Sequence, residues 1–413
     1  MSETTAGWKV LSIGAVTSKP SKIDPSLTGR DSVRYVDIGQ LGGPAGCLQT
    51  APLIQSATAP SRCRQQVREG DTLFSTVRPY LRKIARVGKS LDGDFASTGF
   101  SVLRPLDFMD ARFLHYFTLS HDFEAQILPK QKGVSYPAVL DREVRSCEIT
   151  FPELQEQRRI VEILEDHLSH LDAAEHSVLE VRRRSECLLD NFLKYELPRI
   201  DRRAQTPLGD VADTKLGKML DSKRADGRAT RYLANINVRW GYFNLDQLKC
   251  VRLTENEVQR FSLRPGDLIV CEGGEPGRSA LWTRHDNDIC YQKALHRVRV
   301  NDPNQLSPQY LSLALREAVV SNRVDHLFTG TTIRHLPQQQ LRRVTVPLPD
   351  LESQNRLVKK AHEITDASQL LNSTLSVACR RAAGLRSAVL AAAFSGKLTG
   401  RNTDREVIEE LAQ

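Results

Sequence analysis

The sequence predicts an α+β protein with a pseudo-two-fold internal repeat: two tandem mixed α/β globules, each followed by a long helix. Three observations predict it. First, a set of short motifs occurs twice, about 197 residues apart. Pro152-Glu-Leu154 with Gln157, Arg159 and Val161 returns as Pro349-Asp-Leu351 with Gln354, Arg356 and Val358, and Gly133-Val-Ser135 returns as Gly330-Thr-Thr332. Second, each copy opens on short β-branched and aromatic runs set off by turn residues. Third, each copy closes on a stretch with apolar residues in 3-4 alternation. A repeat of this length is too long for a solenoid unit, whose periods run to roughly 20–50 residues. It reads as a duplicated domain plus helix.

Taken in order, the first copy opens on Trp8-Lys-Val-Leu-Ser-Ile and the second on Thr206-Pro-Leu-Gly-Asp-Val211. Strand-like runs follow at 34–39 and 231–237. Next comes a Gly-Asp turn feeding a strand, as Gly70-Asp71-Thr-Leu-Phe-Ser and as Gly266-Asp267-Leu-Ile-Val-Cys271. The segments 99–104 and 294–299 alternate as half-buried strands should. A helix then begins at Ser307-Pro308, a hydroxyl cap followed by proline at the first helical position, with Asp110 in the matching place of the first copy. Runs at 144–150 and 341–346 read as closing strands.

The long helices are expected over about 153–195 and 352–394. In the first, the 3-4 alternation runs through Leu164, His167, Leu171, Ala174, Val178, Val181, Ser185, Leu188 and Phe192. In the second it runs through Ala361, Ile364, Ser368, Leu371, Leu375, Ala378, Ala382, Leu385 and Val389. Sustained heptads argue for coiled-coil pairing, and at 1.5 Å per residue each helix is about 60 Å long. Leu164, Leu171, Val178, Leu188, Phe192, Ile364, Leu371, Leu375, Leu385 and Val389 are the expected packing residues. His167 reads as a core or edge residue of this seam rather than a ligand. The chain thus divides into a first globule (1–151), a first helix (152–197), a linker (198–205), a second globule (206–348), a second helix (349–398) and a tail (399–413).

Composition bounds the function. The chain has 413 residues, an apolar fraction of 40%, a formal charge of +8 and a pI near 9.1. The length gives a prior of two or three domains. The basic balance is compatible with a polyanionic partner, and equally with a merely basic protein. The eight cysteines are scattered, with no C-x-x-C and no zinc-ligand spacing. With no signal peptide and no apolar run of roughly 18–20 residues, the expectation is a cytoplasmic protein with free thiols and no metal.

No catalytic motif emerges. Gly396-Lys397-Leu398 lacks the upstream glycine and the hydroxyl of a phosphate-binding loop. There is no Asn/Asp-Pro-Pro-aromatic motif and no H-E-x-x-H. Pro349-Asp350-Leu-Glu352 has the wrong spacing for a nuclease carboxylate pair and falls where a helix starts, so a first-turn role is expected. The segment Glu272-Gly-Gly-Glu-Pro-Gly-Arg278 could be a phosphate cradle, but its two carboxylates oppose anion binding. A loop with Arg278 at its tip is the better reading.

The order Gly-Asp-strand, Gly-x-Ser/Thr loop, Pro-[Glu/Asp]-Leu-x-x-Gln-x-Arg and long helix, done twice and closed by Leu385-Arg-Ser-Ala-Val-Leu-Ala-Ala-Ala-Phe-Ser-Gly-Lys-Leu398, resembles the DNA-specificity subunits of type I restriction–modification systems. The segments Phe74-Ser-Thr-Val-Arg-Pro-Tyr-Leu-Arg-Lys83 and Ser97-Thr-Gly-Phe-Ser-Val-Leu-Arg104 look like parts of that family's recognition domains. The first helix departs in lacking the Phe-Ser-Gly-Lys-Leu close. The resemblance implies that each globule is a target recognition domain reading one half of a bipartite, asymmetric double-stranded DNA target. It implies two long helices packed antiparallel as a spacer. It also implies two methyltransferase subunits that use S-adenosylmethionine on adenine, and two motor-endonuclease subunits that use ATP and Mg. The chain itself would bind no cofactor and catalyse nothing.

Candidate DNA-binding residues are Arg78, Tyr80, Arg82, Lys83, Lys130, Lys132 and Ser135 in the first globule, and Arg239, Trp240, Arg278, Thr332 and Arg334 in the second. Arg78 and Arg278 are expected at matched places after the Gly-Asp strand, and Trp240 reads more readily as core than as a DNA contact. The alternatives are a basic coiled-coil scaffold, which would bind DNA without sequence preference, and a specificity subunit of a methylation-only or other phage-defence complex. The apolar run 390–394 leaves the solubility of the free subunit open.

Overall fold

The computed structural model describes residues 7–42, 47–133, 136–200, 205–219, 226–285, 288–330 and 332–398. Ser135 and the tail lie outside them. The chain forms two compact units that cut across the helices. One comprises residues 1–178 and 376–413, the other residues 179–375. The long helices run Leu154–Glu196 and Leu351–Phe394.

In the first unit, a five-stranded sheet has the order Thr17–Ser18, Phe100–Pro105, Thr72–Ser75, Ile84–Val87, Cys47–Leu48. A four-stranded sheet has the order Leu53–Gln55, Ser32–Val36, Phe95–Ser97, Cys63–Gln66. The chain entry Lys9–Ser12 pairs antiparallel with Glu148–Phe151, closing the domain. The helix Ala111–Thr118 starts at Asp110, whose carboxylate accepts from the N–H groups of Arg112 and Phe113. Its apolar face meets the core: Phe74, Phe113, Phe117 and Phe123 pack with Ile160, Val161 and Leu164 of the first long helix and Val389, Leu390, Ala393 and Phe394 of the second. Of the apolar run at 390–394, Leu390, Ala392, Ala393 and Phe394 are therefore buried inside this unit.

The second unit repeats the plan. One sheet has the order Ala212–Leu216, Leu295–Val300, Leu268–Cys271, Ser279–Leu281, and another the order Lys249–Leu253, Arg228–Leu233, Ile289–Tyr291. Gln205–Pro207 pairs with Thr345–Pro347. The helix Pro308–Val320 is capped by Ser307. Here Leu193 of the first long helix and Leu197 in the turn just after it are buried with Tyr310, Leu311 and Leu357.

Within each unit the two helix segments run antiparallel. Arg386 pairs with Asp172 and with Glu175 (3.5 Å) in the first unit, and Ser368 Oγ donates to the Ser185 carbonyl (3.4 Å) in the second. Leu164 and Val389 are fully buried, while Leu171, Val178, Phe192, Ile364, Leu371, Leu375 and Leu385 are half-buried. Leu188 is 46% exposed. Near its carboxyl end the first helix meets a globule as well as its partner, and Leu193, off the heptad line, is buried there beside the half-buried Leu189 and Phe192.

The closing segments differ from the expected strands. Asp141–Arg145 and Gln338–Leu341 are helical turns, and the strands begin only at Glu148 and Thr345. The first turn is fixed by side chains that a strand reading ignores. Glu143 accepts from the Leu140 N–H (2.7 Å), and buried Arg145 reaches Asp141, Thr17 and the Val102 carbonyl.

His115 is buried in the first unit, and neither ring nitrogen has a hydrogen-bond partner. Burial pushes its imidazole down to about 4, with Arg86 adding to the effect. A folded-state value below the unfolded 6.5 means that the unfolded chain takes up the proton first. Stability is then full above 6.5 and lost as pH falls toward 4, by about 3 kcal/mol at most. Thermal unfolding followed by circular dichroism should show the first transition falling over that window. His115→Leu should flatten this part of the profile; an unchanged profile would contradict the assignment.

Candidate nucleic-acid interface

The repeated motifs build the same scaffold in each unit. Asp71 and Asp267 of the Gly-Asp turns are buried. Asp71 accepts from the Arg68 N–H (2.8 Å) and holds Arg104 through Nε (2.9 Å) and a terminal nitrogen (2.7 Å). Asp267 does the same with the Arg264 N–H (2.8 Å) and Arg299 (2.6 and 2.7 Å). Gly70 and Gly266, with φ near +90°, supply the turn. The motif therefore locks the turn to the neighbouring strand and does not face a ligand.

The glutamine of Pro-[Glu/Asp]-Leu-x-x-Gln is a second lock. Gln157 is buried, accepts from the Asp110 N–H (2.8 Å), and donates to the carbonyls of Phe108 (3.1 Å) and Pro152 (2.9 Å). Gln354 accepts from the Ser307 N–H (2.9 Å) and donates to Gln305 and Pro349 (2.9 and 2.8 Å). One side chain thus ties the start of each long helix to the start of the globule's own helix.

On this scaffold backbone bonds tie three connections together in each unit: those around Thr76–Val77, Gly99 and Ala138 in the first, and around Glu272–Gly273, Ala294 and His335 in the second. Val77 bridges Ala138 and Lys132 bridges Ala138, just as Gly273 bridges His335 and Thr329 bridges His335. The Ser75 N–H donates to the Lys83 carbonyl (3.0 Å), and the Cys271 N–H to the Arg278 carbonyl (2.8 Å). Lys83 Nζ donates to the Ile38 carbonyl (3.0 Å), and Arg278 donates to the Asn235 carbonyl (3.0 Å).

These bonds correct the expected match of Arg78 with Arg278. Arg278 corresponds to Lys83, and Arg78 to Gly274. The first loop enters and leaves through left-handed residues, Arg78 and Arg82 (φ +49° each), where the second has Gly274 (+76°) and Gly277 (+87°). A left-handed non-glycine residue costs about 1–2 kcal/mol. Two arginines at such places make this loop a site of stored strain, a feature that clusters at functional sites. At Gly277 an added Cβ would meet Val319 at 2.6 Å, so the second copy requires glycine there.

The other predicted residues fall into two groups. Several are engaged within the protein. Arg82 donates to the Leu119 carbonyl and pairs with Glu124 (3.5 Å). Lys130 Nζ reaches Ser146 Oγ (3.0 Å), and Lys132 pairs with Glu143 (3.2 Å) while staying exposed. Arg278 pairs with Glu275 (2.7 Å), and its side chain is 13% exposed. Trp240 is half-buried, donates to the same Glu275 carboxylate (2.7 Å), and carries Arg316 over its ring. The rest present more open surface. Tyr80 and Thr332 are exposed, Arg239 is half-buried at a strand end, and Arg334 is exposed with a 3.3 Å contact to Asp325. Arg78 lies over the ring of Tyr136, 4.8 Å from its centroid.

Sequence reasoning missed two features of this edge. Tyr136 (71% exposed) and Ile333 (63%) occupy the same place in the two copies, three residues beyond Gly133 and Gly330; the repeat offset itself could have shown this. The connection 292–294 is one residue longer than its counterpart 98–99, a second visible signal. The eight cysteines are unpaired, and burial raises the thiols of Cys63, Cys271 and Cys290 to about 11, which leaves them poor nucleophiles. Among the described residues, no group of three or more His, Cys, Asp or Glu could hold a metal ion, and no helix is long and apolar enough to cross a membrane.

Known proteins share this arrangement. The family model described as type I restriction modification DNA specificity domain matches twice, over residues 54–181 and 204–377. The EcoKI specificity subunit of Escherichia coli K12 is 22% identical over 320 residues, covering 73% of this chain and 68% of its own. The StySPI specificity subunit of Salmonella potsdam is 21% identical over 317 residues, covering 72% and 68%. A chain solved in work on complex assembly and conformational transition of the type I R-M system superposes with a TM-score of 0.81 at 26% identity, covering 96% of this chain and all of that one. The HsdS subunit from Thermoanaerobacter tengcongensis gives a TM-score of 0.56 at 26% identity, over 96% and 98%. With two family matches that span most of its length, one over each loop-bearing unit, this chain belongs to the type I restriction modification DNA specificity family.

Proposed function

We propose that the chain is the non-catalytic DNA-specificity subunit of a type I restriction–modification complex. Each unit reads one half of a bipartite, asymmetric target in double-stranded DNA. The observation that carries this reading is the duplicated loop edge: scaffolds held by the same locks display different side chains in the two copies. Common locks such as Asp71–Arg104 and Asp267–Arg299 support similar docking, and unlike surfaces support unlike half-sites. The exposed cations and hydroxyls, Tyr80, Lys132, Thr332 and Arg334 with Arg78 and Arg239, are proposed to contact DNA. Arg82, Lys83, Lys130, Trp240 and Arg278 are proposed to hold the loops that present them. The long helices set the gap between the half-sites.

Chemistry then belongs to partners in the cytoplasm. Two methyltransferase subunits use S-adenosylmethionine to methylate an adenine in each half-site, and two motor-endonuclease subunits use ATP and Mg. Coexpression with the cognate methyltransferase, followed by single-molecule sequencing of host adenine methylation, tests the reading. The expected result is one motif of two unlike words separated by a fixed gap. Methylation at a continuous motif, or at none, would sink it.

A further inference from the structure

The two loop edges differ most at the connection between their last two sheet strands. In the first unit, Ser97 and Phe100 are joined by Thr98-Gly99, and an added Cβ at Gly99 would meet Ile38 Cδ1 at 2.3 Å. Ile38 covers that turn. In the second unit, Tyr291 and Leu295 are joined by Gln292-Lys293-Ala294, and the residue matching Ile38 is Asn235, which turns away to donate to the Gly273 carbonyl (3.0 Å). An open hollow of about 300 Å³ lies at this connection, lined by Lys218, Met219, Glu272, Gln292, Lys293 and Ala294.

The backbone of this connection is pinned on every side. The Gln292 N–H donates to Leu233 (3.0 Å), the Lys293 N–H to Lys218 (2.8 Å), the Leu295 N–H to Gln292 (2.9 Å) and the Glu272 N–H to Ala294 (2.9 Å). Gly217 lies so close that an added Cβ would stand 2.2 Å from the Gln292 carbonyl oxygen. The side chains are the opposite. Gln292 is half-buried and Lys293 exposed, and among the described residues neither has a hydrogen-bond or ionic partner; the Glu272 carboxylate, which lines the same hollow, accepts no hydrogen bond from a described residue. Lys218, by contrast, is spent on Glu257 (2.7 Å). A rigid backbone that presents unpaired polar groups in a hollow fixes where those groups start, so the ordering cost of binding is confined to the side chains themselves.

We propose that Gln292 and Lys293 are specificity-determining residues of the second unit. They read the major-groove edges of purines in two adjacent base pairs. A glutamine amide matches the N6 donor and N7 acceptor of adenine, and a lysine ammonium matches the O6 and N7 acceptors of guanine. Glu272 is a positioning residue that disfavours phosphate in the hollow and so keeps it for base edges. The inference rests on the bipartite DNA reading above and assigns part of the second word to this connection.

The test maps adenine methylation for the parent and for Gln292→Ala, Lys293→Ala and the double variant, each coexpressed with the methyltransferase partner. Purified subunits are melted alongside; no side-chain bond is lost, so unfolding temperatures should match. Each single variant should relax one base pair of the second word, with a loss of preference of about 5- to 150-fold, and leave the first word and the gap unchanged. An unaltered second word in the double variant overturns the inference while leaving the bipartite reading intact. A uniform loss of affinity with a shallower salt dependence overturns it too, since that is the signature of phosphate contacts. If the parent itself yields no bipartite motif, the underlying reading fails and this inference fails with it.

Discussion

Replacing Phe394 by alanine should destabilise the first unit by about 3–5 kcal/mol, the usual cost of removing a buried aromatic ring. Phe394 belongs to the end of the second long helix, yet its ring packs edge-on against Phe113 (5.1 Å between centroids) and Phe117 (5.4 Å) of the first globule. Val389, Leu390, Ala393 and Leu398 are buried in the same core. The first globule is therefore incomplete until the chain's far end arrives. The counterpart in the repeat is Leu197, buried in the second unit's core. Leu197→Ala should cost the second unit about 2–5 kcal/mol and spare the first. Hydrogen exchange of each variant, read on amides of the two globules, would resolve which unit opens. Equal loosening of both units in either variant would contradict the reciprocal arrangement.

Asp71→Ala should cost the first unit about 3–5 kcal/mol, because it leaves the largely buried Arg104 without its partner. It also leaves the Arg68 N–H unpaired. Replacing Asp71 and Arg104 together by leucines should recover much of the loss, since an apolar pair of similar volume replaces a costly buried ion pair. Denaturant unfolding of the two variants and the parent forms the comparison. A double variant no better than Asp71→Ala would show that the pair matters for a reason other than the uncompensated charge. The same logic applies to Asp267 and Arg299.

Much of this fold is legible in local sequence, and the limits follow from what local sequence encodes. The Gly-Asp turn, the caps at Asp110 and Ser307 and the long helices are set by neighbours within a few residues. The job of Asp71 is not, since Arg104 lies across the sheet. The heptad stripe foresees Leu164 and Val389 in the buried seam, but a heptad knows only a partner helix. Where the helix end meets a globule, Leu193 is buried instead of Leu188. The interface was harder to read. Position after the Gly-Asp strand suggests a match of Arg78 with Arg278, whereas the left-handed turns at Arg78 and Arg82 that set the true match are backbone properties. Counting cations also favoured Lys130 and Arg278, which the fold uses internally. The uncharged Gln292 carried no such flag.

If the paired helices set the gap between the half-sites, as proposed, lengthening both should change that gap and nothing else. Inserting one heptad into each helix where it passes from one unit to the other, at 178/179 and at 375/376, leaves both cores untouched. Adenine methylation should then be mapped for the parent and the insertion variant with the same methyltransferase partner. The expected result is the same two words in both, with a changed gap in the variant. A gap that stays the same, or a word that changes while the cores remain folded, would contradict it.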